Sequence, residues 1–341
     1  MERSVAVVIL NYNGEQMLGR FLPSVVAHSP EARVIVADNG STDGSVAFVR
    51  SSFPQVELIE LGDNFGFAEG YNRALAQVDA EFYILLNSDV EVTPGWIAPM
   101  LAAMQDDVGV AACQPKILSQ CNKKYFEYAG AAGGYIDRYG YPYCRGRIFD
   151  TVELDEGQYD TPCRVFWATG AALMVRRSVY WAVGGLDGRF FAHMEEIDLC
   201  WRINARGGVV TAVPASVVYH VGGGTLNKSN PRKTYLNFRN NLLLLYKNLP
   251  DKELCRVMRV RCLLDYVAAA KFLLTGAVGD FKAVLKARRH FAQMKAKFAS
   301  SRAENLQKTT AVPQGVASFS LLWQYYMCRR SRFSQLPAVK R

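Results

Sequence analysis

Short apolar runs alternate with polar, glycine-containing loops through the N-terminal third of the chain. Runs of strand length lie at 5–10, 33–37, 56–61 and 82–86. The last of these, Phe82–Leu86, has no polar interruption, which is typical of a strand covered on both faces. Glu15–Ala27 has an apolar stripe with helical spacing, although Pro23 weakens its middle. Strands alternating with helices predict right-handed crossovers and a mostly parallel α/β sheet with flanking helices.

Polar residues follow the fourth apolar run directly. Asn87, Ser88 and Asp89 come after Phe82–Leu86, at the carboxyl end of the predicted strand, where open α/β sheets bind ligands. A carboxylate there is costly unless it is paired, solvated or bound to a cation. We therefore interpret Asp89 as the holder of a divalent metal that in turn holds phosphates. The alternative is an ordinary turn or capping residue.

The loops after the first two strands suggest a nucleotide base. Asp38, at the tip of the second strand, could accept a hydrogen bond from the imide N–H of uracil or thymine, and Asn11 and Tyr12 could sandwich the ring. Alternatively, Asp38 only opens an Asx-turn before a helix. The first loop has a single glycine, Gly14, which excludes the Gly-x-Gly-x-x-Gly turn of dinucleotide folds, and no Walker glycine loop is present. Metal, rather than a glycine cradle, is the expected phosphate holder.

A second polar cluster contains Glu195, Glu196 and Asp198. Acids this close repel one another, which raises their pKa values and suits a general base. The alternative is an acid-rich helix start, which the helix dipole favours.

Two further residues are candidates beyond this cluster. His220 ends an apolar run and precedes Gly222–Gly224, so that it could be a metal ligand in a place where something approaches the backbone closely. It could equally be a structural histidine. Arg239 shares a helix face with Tyr235 and could bind a pyrophosphate with two hydrogen bonds, or form a surface salt bridge.

The C-terminal part of the chain differs from the rest in charge. Residues 251–341 hold 18 Lys and Arg against 5 Asp and Glu, whereas the whole chain carries only +9. The segment Cys262–Val278 is apolar but interrupted by Asp265 and Lys271, too short a run to span a membrane comfortably. An amphipathic helix lying on an anionic inner leaflet fits better. No nucleic-acid recognition motif accompanies the charge, and a basic helical pair packed on the catalytic domain is the alternative.

Length and cysteine usage set the broad class. The 341 residues are enough for one large domain plus an appendage, which we divide at residues 1–250 and 251–341. The eight cysteines are scattered without CxxC pairs and no secretory signal precedes Val5, so we expect a cytoplasmic protein with reduced thiols. The mixed pattern of residues 116–165 predicts a long insertion with short strands, in which we assign no role to individual residues.

Eight motifs together resemble the family 2 inverting glycosyltransferases of the GT-A fold, most closely the bacterial rhamnosyltransferase-type enzymes of surface polysaccharide synthesis. The resemblance covers about residues 4–250, and each motif is weak alone, but all eight follow the family's order. They are Val8–Gly14, Val36–Ser45, Asp63–Asn72, Leu85–Asp89, Thr169–Val175, Gly184–Asp187, Glu195–Arg202 and Tyr219–Gly224.

The resemblance implies roles for particular residues. Asp38 would recognise the pyrimidine of a dTDP- or UDP-sugar, and Asn11, Tyr12, Asn64, Asn72 and Asn87 would line the nucleotide-sugar pocket together with Arg239. Asp89 would be the metal carboxylate for Mg²⁺ or Mn²⁺, with His220 as second ligand. Glu196 stands at the position of the base, with Glu195 and Asp198 as alternatives.

Two departures from the family pattern bear on this assignment. Asn87 replaces the first acid of the Asp-x-Asp motif, which removes one metal charge, and Glu196 replaces an Asp, which extends the carboxylate by about 1.5 Å. Three functions follow. The first is a metal-dependent transferase acting on a saccharide or lipid-linked acceptor at the inner membrane face; the second is a non-catalytic nucleotide- or carbohydrate-binding relative. A nucleotidyltransferase ranks third, because its glycine-rich, Lys- or Arg-containing first loop is missing.

Overall fold

The computed structural model describes residues 4–222 and 230–339, and the following elements lie within those ranges. The strands are β1 (Val5–Asn11), β2 (Ala32–Asp38), β3 (Glu57–Glu60), β4 (Phe82–Asn87), β5 (Val90–Val92), β6 (Val110–Ser119), β7 (Gly134–Ile136), β8 (Pro142–Cys144), β9 (Arg147–Ile148), β10 (Thr151–Val152), β11 (Cys163–Arg164), β12 (Ala172–Arg176) and β13 (Val209–His220). The helices are α1 (Glu15–His28), α2 (Ser45–Ser52), α3 (Gly66–Leu75), α4 (Ile97–Asp106), α5 (Arg177–Ala182), α6 (Glu195–Ala205), α7 (Pro231–Asn248), α8 (Asp251–Leu274), α9 (Val278–Met294) and α10 (Ala299–Gln307).

The main sheet is parallel over its N-terminal half. Its strand order is β11-β13-β6-β12-β4-β1-β2-β3, with β5 paired to β13. Strands β3, β2, β1 and β4 are mutually parallel, whereas β12 lies antiparallel between β4 and β6. The predicted mixed α/β architecture with a mostly parallel sheet is confirmed, and the antiparallel strand β12 enters its centre.

Alternating side chains of the central strands serve two separate cores. In β1, Val5, Val7 and Ile9 pack with α1 and α4 on one face, whereas Ala6 and Val8 pack with α3 and α6 on the other. Strand β4 divides in the same way, with both faces buried. The uninterrupted apolar run in the sequence has this origin, since neither face of the strand meets water.

Strand register brings the polar tips together at one edge of the sheet. Asn11 of β1 lies opposite Asp38 of β2, and Leu10 of β1 lies opposite Asn87 of β4. His220, at the end of β13, pairs with Val90 of β5, directly after Asp89. Residues far apart in sequence thus meet at the carboxyl ends of parallel strands, where ligands bind in such sheets.

The insertion at 116–165 builds a second, smaller sheet. Strands β7, β8, β9 and β10 form an antiparallel meander in which β7 is followed in space by β8, β9 and β10. This agrees with the short strands predicted there. Gly134 of β7 lies against the indole of Trp167, whose Nε1 donates to the carbonyl of Tyr135 at 2.9 Å, so the small sheet is anchored to the segment that leads into β12.

The basic C-terminal helices pack against the rest of the chain through buried polar contacts. Arg261 of α8 donates to the side-chain oxygen of Asn241 in α7 and to the carbonyl of Tyr139 in the small-sheet region. It also pairs with Asp265, which Arg288 of α9 contacts at 2.6 Å. A division of the chain near residue 250 remains a prediction, but the two parts share this network. Among the described helices, none is long and apolar enough to cross a bilayer.

We expect the substitution Arg261→Ala to lower the free energy of unfolding by about 3–5 kcal/mol, because it leaves Asn241 and the carbonyl of Tyr139 buried without their donor. Urea denaturation of the full chain measures this loss. Arg259→Ala is the matched control, since Arg259 is exposed on the same helix and its removal should change stability little. Equal destabilisation by the two substitutions would contradict the structural role of Arg261.

Candidate active site

The tips of β1 and β2 form a polar pocket floor. The side-chain amide of Asn11 donates to Asp38 Oδ1 at 3.3 Å and to the hydroxyl of Ser41 at 3.2 Å. The other carboxylate oxygen, Asp38 Oδ2, accepts from the Ser41 backbone N–H at 2.9 Å, three residues on rather than the two of an Asx-turn. Asn11 Oδ1 is buried without a partner among the described residues, which leaves an acceptor for a ligand donor.

The loop around Asn64 forms the neighbouring wall. Asn64 Oδ1 accepts from the Gly66 backbone N–H at 2.9 Å, and the Asn39 amide donates to the Gly66 carbonyl at 3.0 Å. A side chain at Gly66 would collide with the ring of Phe191, which precedes the acidic helix α6. Tyr12 is exposed at the mouth. The structure thus joins Asn11 to Asp38 and places Asn64 against Asn39, the next residue after Asp38; their roles in nucleotide binding stay predictions.

Asp89 and His220 lie side by side. His220 Nε2 is 3.1 Å from Asp89 Oδ1, and both side chains are buried. Burial by itself lowers the pKa of His220, but the hydrogen bond to Asp89 and the nearby Glu127 carboxylate raise it to about 10. Burial likewise raises the pKa of Asp89, and the hydrogen bond and charge of His220 outweigh this, so that its pKa is lowered.

These two residues fit a divalent cation that shares its coordination with a ligand. A carboxylate oxygen and an imidazole nitrogen are suitable donors for Mn²⁺, and the oxygen for Mg²⁺. No arrangement of three or more His, Cys, Asp or Glu side chains suited to a metal occurs in residues 4–222 and 230–339. The remaining positions would therefore belong to water and to the phosphates of a ligand. Asn87, two residues before Asp89, is half-buried, and its backbone N–H donates to the carbonyl of Ala171 at 3.0 Å.

A strained turn presents the acidic cluster. Phe191, His193 and Met194 have positive φ values of 68°, 69° and 74°, a conformation that costs energy in residues other than glycine. The side-chain amide of Asn240 in α7, fully buried, donates to the carbonyls of Phe190, Ala192 and His193 at 3.0, 2.8 and 2.8 Å. Helix α7 thus holds the turn from which α6 begins.

Arg239 belongs to the same clamp and does not face the polar pocket. Its three guanidinium nitrogens donate to the side chain of Asn240, the hydroxyl of Tyr235 and the carbonyl of Phe190. These contacts occupy three of its five N–H groups, and the expected pyrophosphate contact stays a prediction. Arg239 does not form the surface salt bridge considered as the alternative, since it is buried.

Glu196 has the properties of a base. It is half-buried, and its Oε2 is enclosed without a hydrogen-bond partner among the described residues. Burial raises the pKa of Glu196 to about 7, against the opposing effect of backbone N–H groups in the first turn of α6. Its Cβ lies close to Gly170, which precedes the Ala171 carbonyl that Asn87 contacts. This places Glu196 beside the strand tip that leads to Asp89.

Glu195 is more deeply enclosed than its neighbour. Burial, and then the charge of Glu196, raise the pKa of Glu195 well above its usual range, and its Oε2 also has no partner in the described part of the chain. The repulsion predicted from the sequence is therefore present in the pair Glu195 and Glu196.

Asp198 lies outside this pair. It has no exposed surface, and its carboxylate accepts from Arg202 at 2.9 Å, Lys247 at 2.8 Å and Asn248 at 2.8 Å. Burial raises its pKa, but the charges of Arg202 and Lys247 outweigh this and lower it. Three donors and two neighbouring cations make this carboxylate a weak proton acceptor, which disfavours Asp198 as the base. Asp198 instead joins α6 to α7.

Asn72 is likewise structural. Its amide donates to the Leu186 carbonyl at 2.7 Å, and its oxygen accepts from the Leu186 N–H and the Tyr180 hydroxyl. These bonds hold the turn at Gly185, which has a φ of +63°. They use both polar atoms of Asn72, and its contact with a nucleotide sugar stays a prediction.

Sequence patterns missed Glu127 and Asn240. Glu127 stands in the insertion that had no periodicity, and nothing local distinguishes its carboxylate. Asn240 and Asn241 were visible as two amides ahead of four leucines in a helix, a place where a polar side chain must find partners. Of the glycine run Gly222–Gly224, the last two lie outside the described residues.

Comparisons with known proteins agree on one family. A family model described as "Glycosyl transferase family 2" matches residues 6–184. An N-acetylglucosaminyl-diphospho-decaprenol L-rhamnosyltransferase of Mycobacterium tuberculosis is 31% identical over 229 residues, which cover 63% of this chain and 75% of that protein. A low-salt glycan biosynthesis hexosyltransferase of Haloferax volcanii is 24% identical over 247 residues, covering 70% and 74%.

Solved structures share the fold. A mannosyltransferase of Pyrobaculum calidifontis in complex with GDP-Man and Mn²⁺ has a TM-score of 0.52 at 16% identity, covering 89% of this chain and 87% of its own. TarS residues 1–349 of S. aureus with UDP-GlcNAc has a TM-score of 0.56 at 13% identity, covering 89% of each chain. The likeness to glycosyltransferases of the GT-A fold, implied by the motifs, is thereby confirmed.

We expect Glu196→Gln to raise the free energy of unfolding at pH 8 by about 1–3 kcal/mol and to leave it almost unchanged at pH 4. A carboxyl group whose pKa is higher in the folded state contributes stability that is fully present below its unfolded pKa of about 4. This stability is lost as pH rises from there through the folded pKa of about 7. Urea denaturation at the two pH values measures the difference. The exposed Glu31, changed to Gln, is the control, and an equal gain in both variants would contradict the prediction.

Proposed function

The chain belongs to glycosyl transferase family 2, and we propose that it moves a sugar, with rhamnose favoured, from a dTDP- or UDP-linked donor to a saccharide or lipid-linked saccharide acceptor. The rhamnosyltransferase of Mycobacterium tuberculosis, by its name, acts on such a diphospho-decaprenol carrier. We extend this chemistry to the present chain as a step of bacterial surface polysaccharide synthesis.

The observation that carries the proposal is the convergence of three kinds of polar group on one edge of the sheet. Asn11 and Asp38 offer hydrogen-bonding groups at the tips of β1 and β2, and the pair Asp89 and His220 offers cation ligands. Glu196 offers a carboxylate oxygen, Oε2, that has no partner among the described residues. A base, a cation and a nucleotide are the requirements for transferring a sugar away from a diphosphate.

Recognition of the donor follows from the polar floor. Asp38 would accept the imide N–H of uracil or thymine, a group that both bases share, while Asn11 and Asn64 would border the nucleoside and Tyr12 would lie over it at the mouth. Asn87 would lie nearest the sugar. A divalent cation, Mg²⁺ or Mn²⁺, held by Asp89 and His220 would supply positive charge to the departing diphosphate, in keeping with the Mn²⁺ in a structure of similar fold.

Glu196 would act on the acceptor. Its carboxylate takes the proton from the acceptor hydroxyl as the oxygen attacks the anomeric carbon from the face opposite the diphosphate, so that one bond forms while the other breaks and the configuration inverts. A pKa of about 7 makes Glu196 a stronger proton acceptor than an exposed carboxylate, while a substantial fraction is still ionised near neutral pH. No covalent intermediate is required.

We expect Glu196→Gln to reduce sugar transfer by at least about 10²–10⁴-fold, because the amide cannot accept the proton, and to leave donor binding intact. Transfer is measured with dTDP-rhamnose and UDP-sugars on a diphosphate-linked saccharide acceptor with Mn²⁺, and binding by calorimetry. The wild-type rate should rise with pH through about 7 and then level off, since the base must be ionised.

Glu31→Gln serves as control for the loss of one carboxylate. Wild-type transfer by Glu196→Gln would remove Glu196 as the base. Binding of dTDP or UDP without turnover by the wild type, on any acceptor of this class, would instead favour a non-catalytic nucleotide-binding relative, which the Asn87 and Glu196 departures make the second candidate. Failure of dTDP and UDP to bind would contradict the nucleotide pocket.

We also propose that the acceptor is met at the inner face of the plasma membrane, through a surface on the C-terminal helices. Helix α8 exposes Leu263, Tyr266 and Val267 along one side, and Leu274 at its end. A second exposed apolar group comes from the turn Trp323–Met327. The Lys271 ammonium lies 5.4 Å from the ring centre of Tyr326, which makes the two groups neighbours. We call them together the apolar platform.

The charges around the apolar platform are positive. Arg256, Arg259 and Lys271 are exposed on α8, while Asp265 is fully buried between Arg261 and Arg288. Exposed apolar side chains bordered by cations are the features of a surface that lies on an anionic leaflet. The basic helical pair packed on the catalytic domain, the alternative from the sequence, describes the inner side of the same helices.

We expect the double substitution Arg259→Glu and Lys271→Glu to weaken binding to phosphatidylglycerol-containing vesicles by at least about 25-fold, at about 1 kcal/mol per cation. Trp323→Ser with Tyr326→Ser should weaken it independently, through lost apolar contact. Vesicle co-sedimentation at low and high salt measures both effects. Val108→Ser is the matched control, an exposed apolar residue elsewhere on the chain; equal binding by all variants, or by phosphatidylcholine vesicles, would contradict the membrane surface.

A further inference from the structure

We propose that Glu127 is a positioning residue for the metal site: it holds the imidazole of His220 so that Nε2 faces Asp89 and the cation. This inference rests on the metal binding of the proposed function. Glu127 comes from the insertion between β6 and β7, to which neither the motifs nor the family comparison assigns a chemical role.

The His220 ring lies between two carboxylates. Its Nε2 is 3.1 Å from Asp89 Oδ1, and its Nδ1, on the other side of the ring, is 3.3 Å from Glu127 Oε2. Nδ1 is buried and makes no well-aligned hydrogen bond with any described residue. Glu127 is therefore the acceptor within reach when Nδ1 carries a proton.

The Glu127 carboxylate is itself held in place. Only 5% of the residue is exposed, and Oε2 accepts from the Ala129 backbone N–H at 2.5 Å. The Glu127 backbone N–H donates to the Ile117 carbonyl of β6 at 3.0 Å. A side chain so anchored can orient a neighbour without losing much conformational freedom of its own when a ligand arrives.

Gly222 adds an independent observation. It has a φ of +70°, and a Cβ atom there would collide with Glu127 Oε1. The glycine run after His220 predicts a close approach to the backbone, and at Gly222 the group that approaches is the Glu127 carboxylate. The chain after β13 is thus shaped to admit Glu127 beside the histidine.

The chemical consequence concerns the proton that stays on the ring once a cation has displaced the proton of Nε2. A carboxylate at Nδ1 favours the form with the proton on Nδ1, which leaves the lone pair on Nε2 for the cation. Without Glu127 the proton could reside on either nitrogen and the ring could turn over. Because Asp89 and His220 are the two ligands that we propose within residues 4–222 and 230–339, a misoriented imidazole would remove one of these two contacts with the cation.

The test is a Mn²⁺ titration of the full chain in the presence of saturating UDP, followed by the electron paramagnetic resonance signal of free Mn²⁺. We expect Glu127→Gln to weaken Mn²⁺ binding about 10–100-fold while the thermal unfolding of the metal-free protein changes little. Glu91→Gln is the matched control, because Glu91 lies beside the site in β5 but contacts Lys123 and Gln120 instead. Should Glu127→Gln not fold, Gly222→Ala displaces the same carboxylate and should give the same loss.

Each outcome separates this inference from the broader proposal. Wild-type Mn²⁺ affinity in both Glu127→Gln and Gly222→Ala, with affinity lost in Asp89→Ala, would overturn the role of Glu127 and keep the metal site. Equal weakening by Glu91→Gln would also overturn it, since general charge loss would then explain the effect. Absence of Mn²⁺ binding by the wild type would overturn the metal site and this inference together, while sugar transfer could still be measured on its own.

Discussion

Burying a carboxylate oxygen without a hydrogen-bond partner costs free energy. Glu196 Oε2, in the first turn of α6, is buried without a partner among the described residues. The helix is held from outside by α7, whose Asn240 binds three carbonyls of the strained turn and whose Lys247 and Asn248 bind Asp198. These bonds stabilise the first turn of α6 and the loop before it. Without them, the positive φ values and the repulsion between neighbouring acids would destabilise this conformation. Burial then raises the pKa of Glu196, which makes the residue useful as a base.

The acids of the cluster also differ in what their carboxylates contact. Asp198 is surrounded by cations and amides, and its ionised form is favoured, so that it supports the fold. Glu196 has no such partners, so that it remains available to a substrate. Three acids within four positions of the sequence thus take different roles, because a helix turns successive side chains to different neighbours.

The proposed cation ligands show a comparable arrangement near the tip of β4. Asp89 follows β4 and His220 ends β13, and the pairing of β5 with β13 brings them within contact distance. The insertion contributes Glu127 behind the histidine. The insertion at 116–165, whose sequence has no clear period, therefore lies next to the end of β4. The C-terminal helices contact the same insertion, because Arg261 donates to the carbonyl of Tyr139.

By itself, the sequence determined the alternation of strands and helices, the polar strand tips and the acidic cluster, because hydrophobic period and strand ends are local properties of a chain. It also ordered the motifs that led to the family. Tertiary structure alone decided the structural roles of Asn72, Arg239, Asp198 and Asn240 as hydrogen-bond partners, and the position of Glu127 beside His220. Those roles depend on partners more than 45 positions away in the sequence, and no local pattern carries information on which distant group will satisfy a buried polar side chain.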